Sequence, residues 1–307
     1  MRVLFFGTPD FAVPSLTALV GEGFEVVAAV TRPDRPVGRH RSRLEAPPVK
    51  HAALAEEIPV LQPERPTDGA FLDTVRGLVP DISVVVAYGH ILKPALLDLP
   101  RLGSINVHAS LLPALRGAAP IERAILAGMT ETGVTIMQMD AGMDTGPILH
   151  LVATPVEPDE TGGELRARLA EMGALALIEA LTLLDAGGAS PQPQDEKAAT
   201  YAPKLTREEE RLDWRETAEA LARKVRAFDP APGAWAECRG KPLKLYGGRA
   251  MAGRGAPGSV LEAGDCLRVA CGTGVLEVAD VQPAGKARMT VRSLVNGRGI
   301  AAGDVLA

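Results

Sequence analysis

The chain has 307 residues, 46% of them hydrophobic, and a formal net charge of −5 at pH 7. This length exceeds the size at which one core usually stops growing, so two domains are expected, and the hydrophobic content excludes a disordered chain. The acidic balance disfavours a general nucleic-acid binder, although residues 206–307 hold 16 Lys and Arg against 13 Asp and Glu, whereas residues 1–205 hold 17 against 25.

The sequence has the features of a cytoplasmic protein. The apolar run after Met1 is short and soon reaches Gly7, which is not the pattern of a signal peptide. No apolar stretch approaches the length that spans a membrane. The cysteines Cys238, Cys266 and Cys271 form no Cys-x-x-Cys pair and no metal-like cluster with His. We therefore expect buried structural thiols, no metal and no membrane partner.

Two apolar runs with a helix between them open the chain. Arg2–Phe6 is a largely apolar run, as in a strand that is buried on both faces; a helix follows to about Val20, and Phe24–Val30 is a second such run. This β-α-β opening indicates a Rossmann-like parallel sheet. Since the Gly-x-Gly-x-x-Gly fingerprint is absent, no dinucleotide is inferred. Gly7–Ala12 is interpreted as a substrate-facing loop at the carboxyl end of the first strand.

Residues 31–50 are rich in Pro and Arg and are expected to form an irregular loop. It contains Arg39, Arg41 and Arg43, which alternate with polar residues and which we call the arginine arm. Two interpretations are open: a solvated mobile loop, or a phosphate-binding arm that becomes ordered on RNA. Beyond it, further strands are predicted at Ile58–Gln62, Asp81–Ala87 and Ile148–Val152.

The second half of the chain begins with a strong helix signal. Thr161 and Glu164 have capping-box spacing, and the helix that they start ends at Gly187-Gly188. The polar, Pro-rich residues 189–205 are predicted to link a catalytic domain (1–188) to a C-terminal domain (206–307). The latter is predicted to contain an amphipathic helix over Ala218–Phe228 and a small barrel of short strands, at Ala234–Cys238, Pro242–Tyr246, Gly258–Leu261, Cys266–Ala270 and Val275–Val281.

Residues 103–146 hold most of the polar groups that suit a reaction. Asn106 and His108 are two apart in a predicted strand and therefore share a face. Asp144 lies in a turn whose glycines allow a ligand to approach closely. An amide donor, an imidazole and a carboxylate that orients the imidazole are what acyl transfer needs. The alternative is structural: a satisfied core histidine, a turn-capping Asn and an ordinary turn Asp.

Several blocks of the chain resemble the folate-dependent formyltransferases. The first are His108 with Ser110–Pro113, then Arg116–Ile121, then Gly133–Asp140 with Gly142–Gly146. Four more blocks narrow the resemblance to members that formylate initiator Met-tRNA: Phe6–Ala12, Arg32–Pro36, Thr200–Leu205 and Val281–Lys286. Together they cover nearly the whole chain.

This resemblance implies a Rossmann-like formyltransferase domain followed by a small OB-fold-like β-barrel that binds tRNA. It implies transfer of a formyl group from 10-formyltetrahydrofolate, the donor substrate, to the α-amino group of methionine on initiator Met-tRNA, without a metal. Asn106 and His108 would donate hydrogen bonds to the formyl oxygen, and Asp144 would orient His108 and favour its protonated form. The residues implied in the folate site are Tyr88, Ile91, Leu92, Ser110, Leu111, Leu112, Pro113 and Asp140, and those implied in tRNA contact are Phe11 and the arginine arm.

Three other functions compete with this interpretation. A related formyltransferase or hydrolase acting on a small amine or on water is disfavoured by the arginine arm and the second domain. A nucleic-acid-binding module would leave the Asn106, His108 and Asp144 set without a purpose. A nucleotide-dependent enzyme is disfavoured by the missing glycine fingerprint. No long apolar stripe requires a protein partner, so a monomer is expected.

Overall fold

The first part of the chain alternates strands with helices, the order that produces a parallel sheet. The structure is a computed structural model and describes residues 1–37 and 43–307. The strands of this part are β1 (Arg2–Gly7), β2 (Glu25–Val30), β3 (Arg35–Val37), β4 (Arg43–Glu45), β5 (Val60–Leu61), β6 (Ile82–Val86), β7 (Ser104–His108), β8 (Arg116–Gly117), β9 (Glu131–Gln138), β10 (Ile148–Pro155) and β11 (Tyr201–Ala202). The helices are α1 (Val13–Gly21), α2 (Pro48–Ala55), α3 (Gly69–Leu78), α4 (Pro94–Leu97), α5 (Pro120–Leu126) and α6 (Gly162–Asp185).

Seven of these strands form one sheet, in the order β10-β9-β7-β6-β1-β2-β5. The pairs from β7 through β6, β1 and β2 to β5 are parallel, whereas β9 runs antiparallel to β7. The side chains of β1 from Val3 to Phe6 are fully buried, as expected for a strand covered on both faces. The predicted Rossmann-like parallel sheet is confirmed.

The described residues group into two compact units. The first consists of Met1–Gly117, Thr132–Thr154 and Arg166–Ala202, and the second of Ala118–Glu131, Pro155–Leu165 and Pro203–Ala307. Within the first unit, the end of the predicted linker is a strand: β11 pairs in parallel with β8, Tyr201 opposite Arg116 and Ala202 opposite Gly117. The domain limits at 188 and 206 stay a prediction.

The second unit contains the short strands that the Gly-rich turns predict. They are β12 (Ala234–Cys238), β13 (Lys241–Tyr246), β14 (Arg249–Met251), β15 (Val260–Ala263), β16 (Leu267–Ala270), β17 (Val275–Val278), β18 (Asp280–Pro283) and β19 (Met289–Thr290), with helices α7 (Ala218–Ala227) and α8 (Val291–Asn296). They form two four-stranded antiparallel sheets, β12-β13-β18-β19 and β14-β17-β16-β15. The predicted fold class, a Rossmann-like domain followed by a small β domain, is confirmed.

Two of the sequence-based assignments are wrong in detail. Residues 31–50 are not wholly irregular, because β3 and β4 pair as an antiparallel hairpin and α2 begins at Pro48. A two-stranded ribbon needs only backbone hydrogen bonds, so no alternation of apolar residues marks it. The predicted strand Val275–Val281 is two strands in different sheets, because the chain changes sheets at Ala279, whose N–H bonds the carbonyl of Tyr246.

Two local predictions can be read from hydrogen bonds and burial. The capping box is confirmed: Glu164 N–H donates to Thr161 Oγ1 at 3.2 Å, and Thr161 N–H donates to Glu164 Oε2 at 2.9 Å. All three thiols are free, and Cys238 and Cys271 are buried while Cys266 is only partly so. Burial raises the pKa of the Cys271 thiol to about 11, which makes it a poor nucleophile.

The helices within residues 1–37 and 43–307 include none with the length and apolar character that a membrane span requires.

Candidate active site

The site is built on the carboxyl end of β7. Asn106 and His108 alternate with Val107 along this strand, so their side chains leave the same face of the sheet. Val107 is buried at 4% exposure and faces the other way. His108 is 5% exposed, whereas Asn106 is only half-buried. The carboxamide of Asn106 has no hydrogen bond to any described residue, which leaves its donor available.

Both ring nitrogens of His108 face an oxygen acceptor. Nε2 lies 3.1 Å from the carbonyl oxygen of Leu115, and Nδ1 lies 3.6 Å from Oδ2 of Asp144. A carbonyl oxygen only accepts, so Nε2 carries a proton in this arrangement. The structure thus brings the imidazole and the carboxylate of the predicted set together.

Asp144 is held from its backbone as well as from its side chain. Oδ2 accepts a hydrogen bond from Gly117 N–H at 2.8 Å. The residue has a φ of +54°, a left-handed conformation that non-glycine residues seldom adopt. Gly117 itself has a φ of +123°, and a Cβ there would lie 2.7 Å from the carbonyl oxygen of Ala202. Only glycine therefore fits at the position that bonds the carboxylate.

The segment after His108 is tied to the neighbouring strand β9. Thr135 Oγ1 donates to the carbonyl of Ser110 at 2.7 Å and accepts from Leu112 N–H at 3.1 Å. Ser110 Oγ donates to the carbonyl of Ala114 at 2.6 Å. Leu112 is buried, while Leu111 and Pro113 are half-buried. The loop that the resemblance places at the folate is thus rigidly shaped beside the imidazole.

Tyr88 and Leu92 lie in the core of the first unit rather than on its surface. Tyr88 is 1% exposed and packs edge-on against Phe6, with ring centroids 5.3 Å apart. Its burial raises the pKa of the phenol to about 12, so it stays neutral. Leu92 is 6% exposed, whereas Ile91 is 86% exposed. Of these residues, only Ile91 presents its side chain freely to a ligand.

Asp140 shapes the loop that carries Asp144. Its Oδ1 accepts from Gly142 N–H at 2.9 Å and from Thr145 Oγ1 at 2.7 Å, which closes a local turn. The carboxylate is therefore occupied within its own loop, although the residue is exposed.

No group of three or more His, Cys, Asp or Glu side chains in the described part of the chain is arranged to hold a metal ion.

Comparison with known proteins shows the family of this chain. The formyl transferase family matches residues 1–181, and the formyl transferase C-terminal domain matches residues 204–299. The chain belongs to the formyltransferase family.

Named relatives match this formyltransferase over its whole length. It is 50% identical over 306 residues to the methionyl-tRNA formyltransferase of Halorhodospira halophila, covering 99% of this chain and 98% of that protein. It is also 50% identical over 310 residues to the methionyl-tRNA formyltransferase of Thiobacillus denitrificans, covering 100% of this chain and 99% of that protein.

Solved structures of low identity share the fold of this formyltransferase. HypX from Aquifex aeolicus in complex with tetrahydrofolic acid has a TM-score of 0.70 at 19% identity, covering 96% of this chain and 47% of that one. An N-formyltransferase from Helicobacter canadensis with folinic acid and dTDP-3-aminofucose has a TM-score of 0.70 at 18% identity, covering 92% of this chain and 99% of that one.

The structure of this formyltransferase describes one residue of the arginine arm. Arg39 and Arg41 lie outside the described residues, and Arg43 is exposed on β4. Phe11 is 8% exposed and so lies in the core of its unit. The loop before it and the β3–β4 hairpin line a cavity of 870 Å³, which also has His51 on its wall.

The base of the hairpin is fixed by a polar cluster that sequence reasoning missed. Lys50 Nζ donates to both carboxylate oxygens of Asp34 at 2.9 Å and to Gln62 Oε1 at 2.8 Å. Gln62 Nε2 in turn donates to the carbonyl of Arg32 at 2.8 Å. The hydrogen bonds from Lys50 hold the pKa of the Asp34 carboxyl below its usual value. Three residues far apart in sequence meet here, so no local pattern predicts the cluster.

Sequence reasoning also missed the residues that support Asp144. Gln194 Nε2 donates to the carbonyls of Asp144 and Gly146, at 2.8 and 2.7 Å. Its Oε1 accepts from Arg116, which is 1% exposed. Gln194 lies in the polar segment predicted to be a linker. A fully buried arginine needs partners, but the sequence gives no sign that Arg116 is buried.

Proposed function

We propose that this chain transfers a formyl group from 10-formyltetrahydrofolate to the α-amino group of methionine on initiator Met-tRNA, for translation initiation. The observation that carries the proposal is identity of about half the residues, over the full length, to methionyl-tRNA formyltransferases. The pairing of His108 with Asp144, next to an unengaged Asn106 carboxamide, supports the same reaction.

In the proposed reaction the neutral α-amine attacks the formyl carbon. A new C–N bond forms, the bond from the formyl carbon to N10 of the folate breaks, and the formyl oxygen carries negative charge in between. One proton leaves the amine and one arrives at N10, so the products are formyl-Met-tRNA and tetrahydrofolate. Nothing is oxidised or reduced, and the reaction balances without a further reactant.

We assign the stabilisation of that oxygen to Asn106 and His108. The Asn106 carboxamide is half-buried and has a free N–H donor, which suits a charge that appears only during reaction. His108 Nε2–H bonds the Leu115 carbonyl and would share this proton with the formyl oxygen when substrate is bound. Loss of one donor to such an oxygen costs about 10²–10³-fold in turnover.

Asp144 is assigned to orientation and proton movement. Its carboxylate faces Nδ1 of His108 at 3.6 Å and would orient the ring so that Nε2–H donates. The proton released by the amine would pass through this pair, by way of water, to N10. Ser110–Pro113 would shape the folate site, together with Ile91, Asp140 and the backbone at the buried Tyr88 and Leu92.

The RNA contacts are proposed from charge and position. The arginine arm would meet the tRNA acceptor stem, with Phe11 contributing through its loop because its side chain is buried. Residues 206–307, with their excess of three positive charges, would bind RNA beyond it. Residues 1–188 would carry the chemistry. We also propose that the protein works as a monomer in the cytoplasm, which sedimentation at working concentration can check.

The test is single-turnover formylation with 10-formyltetrahydrofolate, offering initiator Met-tRNA and glycinamide ribonucleotide together. Fast formylation of the tRNA alone supports the proposal. Formylation of the small amine, or release of free formate, would support the proposed donor but would show that the acceptor is not Met-tRNA. The proposed acceptor would then be wrong.

A further inference from the structure

We infer that Gln194 and Thr200, in the segment between the two family matches, are positioning residues that hold in place both oxygen acceptors that face the ring nitrogens of His108. This inference rests on the proposed function. The two acceptors are the Asp144 carboxylate and the Leu115 carbonyl, and each is supported by side chains from residues 194–200.

The first support is the carboxamide of Gln194. Its two N–H donors are both used, one on the carbonyl of Asp144 at 2.8 Å and one on the carbonyl of Gly146 at 2.7 Å. Its oxygen accepts from Arg116 Nε at 3.0 Å and Nη2 at 2.7 Å. A flipped amide would place its oxygen against two carbonyl oxygens and its N–H groups against a guanidinium. The partners therefore determine the orientation of the amide. The side chain therefore clamps the turn on both sides of the carboxylate.

The clamp is itself anchored by an ion pair. Arg116 Nη1 and Nη2 donate to the two carboxylate oxygens of Glu196, both at 2.9 Å. Bidentate pairing fixes the plane of the guanidinium, and hence the edge that it presents to Gln194. The hydrogen bonds to Glu196 raise the pKa of Arg116, so the anchor stays charged.

The second support is Thr200. Its Oγ1 accepts from Leu115 N–H at 2.9 Å, its carbonyl accepts from Arg116 N–H at 2.9 Å, and its N–H donates to the carbonyl of Pro113 at 3.2 Å. These bonds bracket Leu115, whose carbonyl oxygen is the acceptor for His108 Nε2.

Backbone conformation shows why such supports are needed. Leu115 and Asp144, the two residues that face the imidazole, both have left-handed backbones, with φ of +60° and +54°. Residues with side chains keep such conformations only where the surrounding structure determines them fully. In each place one of the supporting bonds comes from residues 194–200: Gln194 bonds the Asp144 carbonyl, and Thr200 bonds the Leu115 amide.

The supports bond the groups that face His108, and neither Gln194 nor Thr200 is assigned to substrate binding. Their loss should lower kcat and leave KM for both substrates nearly unchanged, because misplacement by about 1 Å can cost about 10²-fold in rate. Gln194→Met keeps the length of the side chain and removes its donors. Gln194→Glu keeps the oxygen that accepts from Arg116 but places a carboxylate oxygen against the carbonyls of Asp144 and Gly146.

The experiment measures kcat, KM for each substrate and thermal stability for the two Gln194 variants, with Gln192→Met as matched control. Gln192 is exposed, two residues away, and among the described residues its side chain bonds only Ser190, at 3.2 Å. We expect a fall of about 10–100-fold in kcat for both Gln194 variants, and wild-type kcat for the control. Wild-type kcat in Gln194→Glu, or an equal loss in Gln192→Met, overturns the inference.

A double-mutant cycle separates positioning from general damage. In an Asp144→Asn background the clamp has no carboxylate to position, so adding Gln194→Met should change the residual rate by less than about 2-fold. A full additional loss in that background would mean that Gln194 acts elsewhere, and the inference would fall.

Hydrogen exchange keeps the test independent of the proposed reaction. The Gly117 amide donates to Asp144 Oδ2, so its exchange should become faster in Gln194→Met and not in Gln192→Met. Unchanged exchange refutes the clamp whatever the enzyme formylates. Faster exchange in a protein that does not formylate Met-tRNA would keep the clamp and refute the proposed function instead.

Discussion

Replacing Asp144 by Asn removes a charge from the proposed site while keeping its shape. Only an oxygen can accept from Gly117 N–H, so the Asn oxygen should take the place of Oδ2, which bonds this amide at 2.8 Å. The Asn NH₂ group then replaces Oδ1, which has no hydrogen bond to any described residue. We therefore expect the variant to fold with nearly wild-type stability.

The expected loss of rate follows from the distance to His108. A unit charge about 4 Å from another contributes about 4 kcal/mol at the effective dielectric of a partly buried site, and the Asp144–His108 separation is 3.6 Å. Since about 1.4 kcal/mol is a factor of ten, complete loss of this attraction in the transition state would cost about 10³-fold in rate. Asp144→Asn should thus lower kcat by about 10²–10³-fold, with KM little changed because the carboxylate is not assigned to bind substrate.

The assay is single-turnover formylation of Met-tRNA at saturating donor, with thermal melting on the same samples. Asp68→Asn is the control, because Asp68 is exposed and its side chain caps nothing. A well-folded Asp144→Asn protein that keeps more than about a tenth of wild-type kcat would show that the charge is not needed, and the assigned role would be wrong.

Three further predictions concern RNA binding and stability. Replacing all three residues of the arginine arm with Ala should weaken tRNA binding and flatten its salt dependence; an unchanged salt slope would leave the arm as a solvated loop. Lys50→Met should remove the bonds to Asp34 that fix the base of the β3–β4 hairpin, and so raise KM for tRNA while KM for the folate stays the same. An equal rise in both KM values would contradict this. Thr161→Ala should lower the free energy of unfolding by about 1 kcal/mol near neutral pH. Because hydrogen bonds from Thr161 lower the pKa of Glu164, their stabilisation is present above the unfolded pKa and is lost as pH falls through the folded pKa. Thr161→Ala keeps the backbone bond to the Glu164 carboxylate and loses the hydroxyl bond, so the difference in melting temperature from wild type should shrink only in part in acid. A constant difference would contradict the bond from the Thr161 hydroxyl to the carboxylate.

The sequence predicts those features whose signal is local. Val3–Phe6 and the second apolar run are buried strands because a parallel sheet is covered by helices on both faces, and the continuous apolar run shows that requirement directly. The shared face of Asn106 and His108 follows from the two-residue period of a strand. The capping box at Thr161 needs only two residues three apart.

What the sequence does not predict is tertiary. Arg116 reads as a surface residue, yet it is fully buried because Gln194 and Glu196, about 80 positions later, satisfy its guanidinium. Those two partners lie in a polar, Pro-rich stretch, and this composition is equally typical of a linker between domains. Lys50 is similar. It lies in α2, whereas its partner Asp34 precedes β3 and its partner Gln62 follows β5.

The pairing of β11 with β8 also determines where this protein can be cut. A fragment that ends at residue 188 contains Asn106, His108 and Asp144 but lacks Gln194, Thr200 and the strand that lies against Gly117. A fragment that ends at residue 202 keeps all of them. Inactivity of the shorter fragment would thus say nothing about the need for the C-terminal half, and studies of the isolated N-terminal half should begin with the longer one.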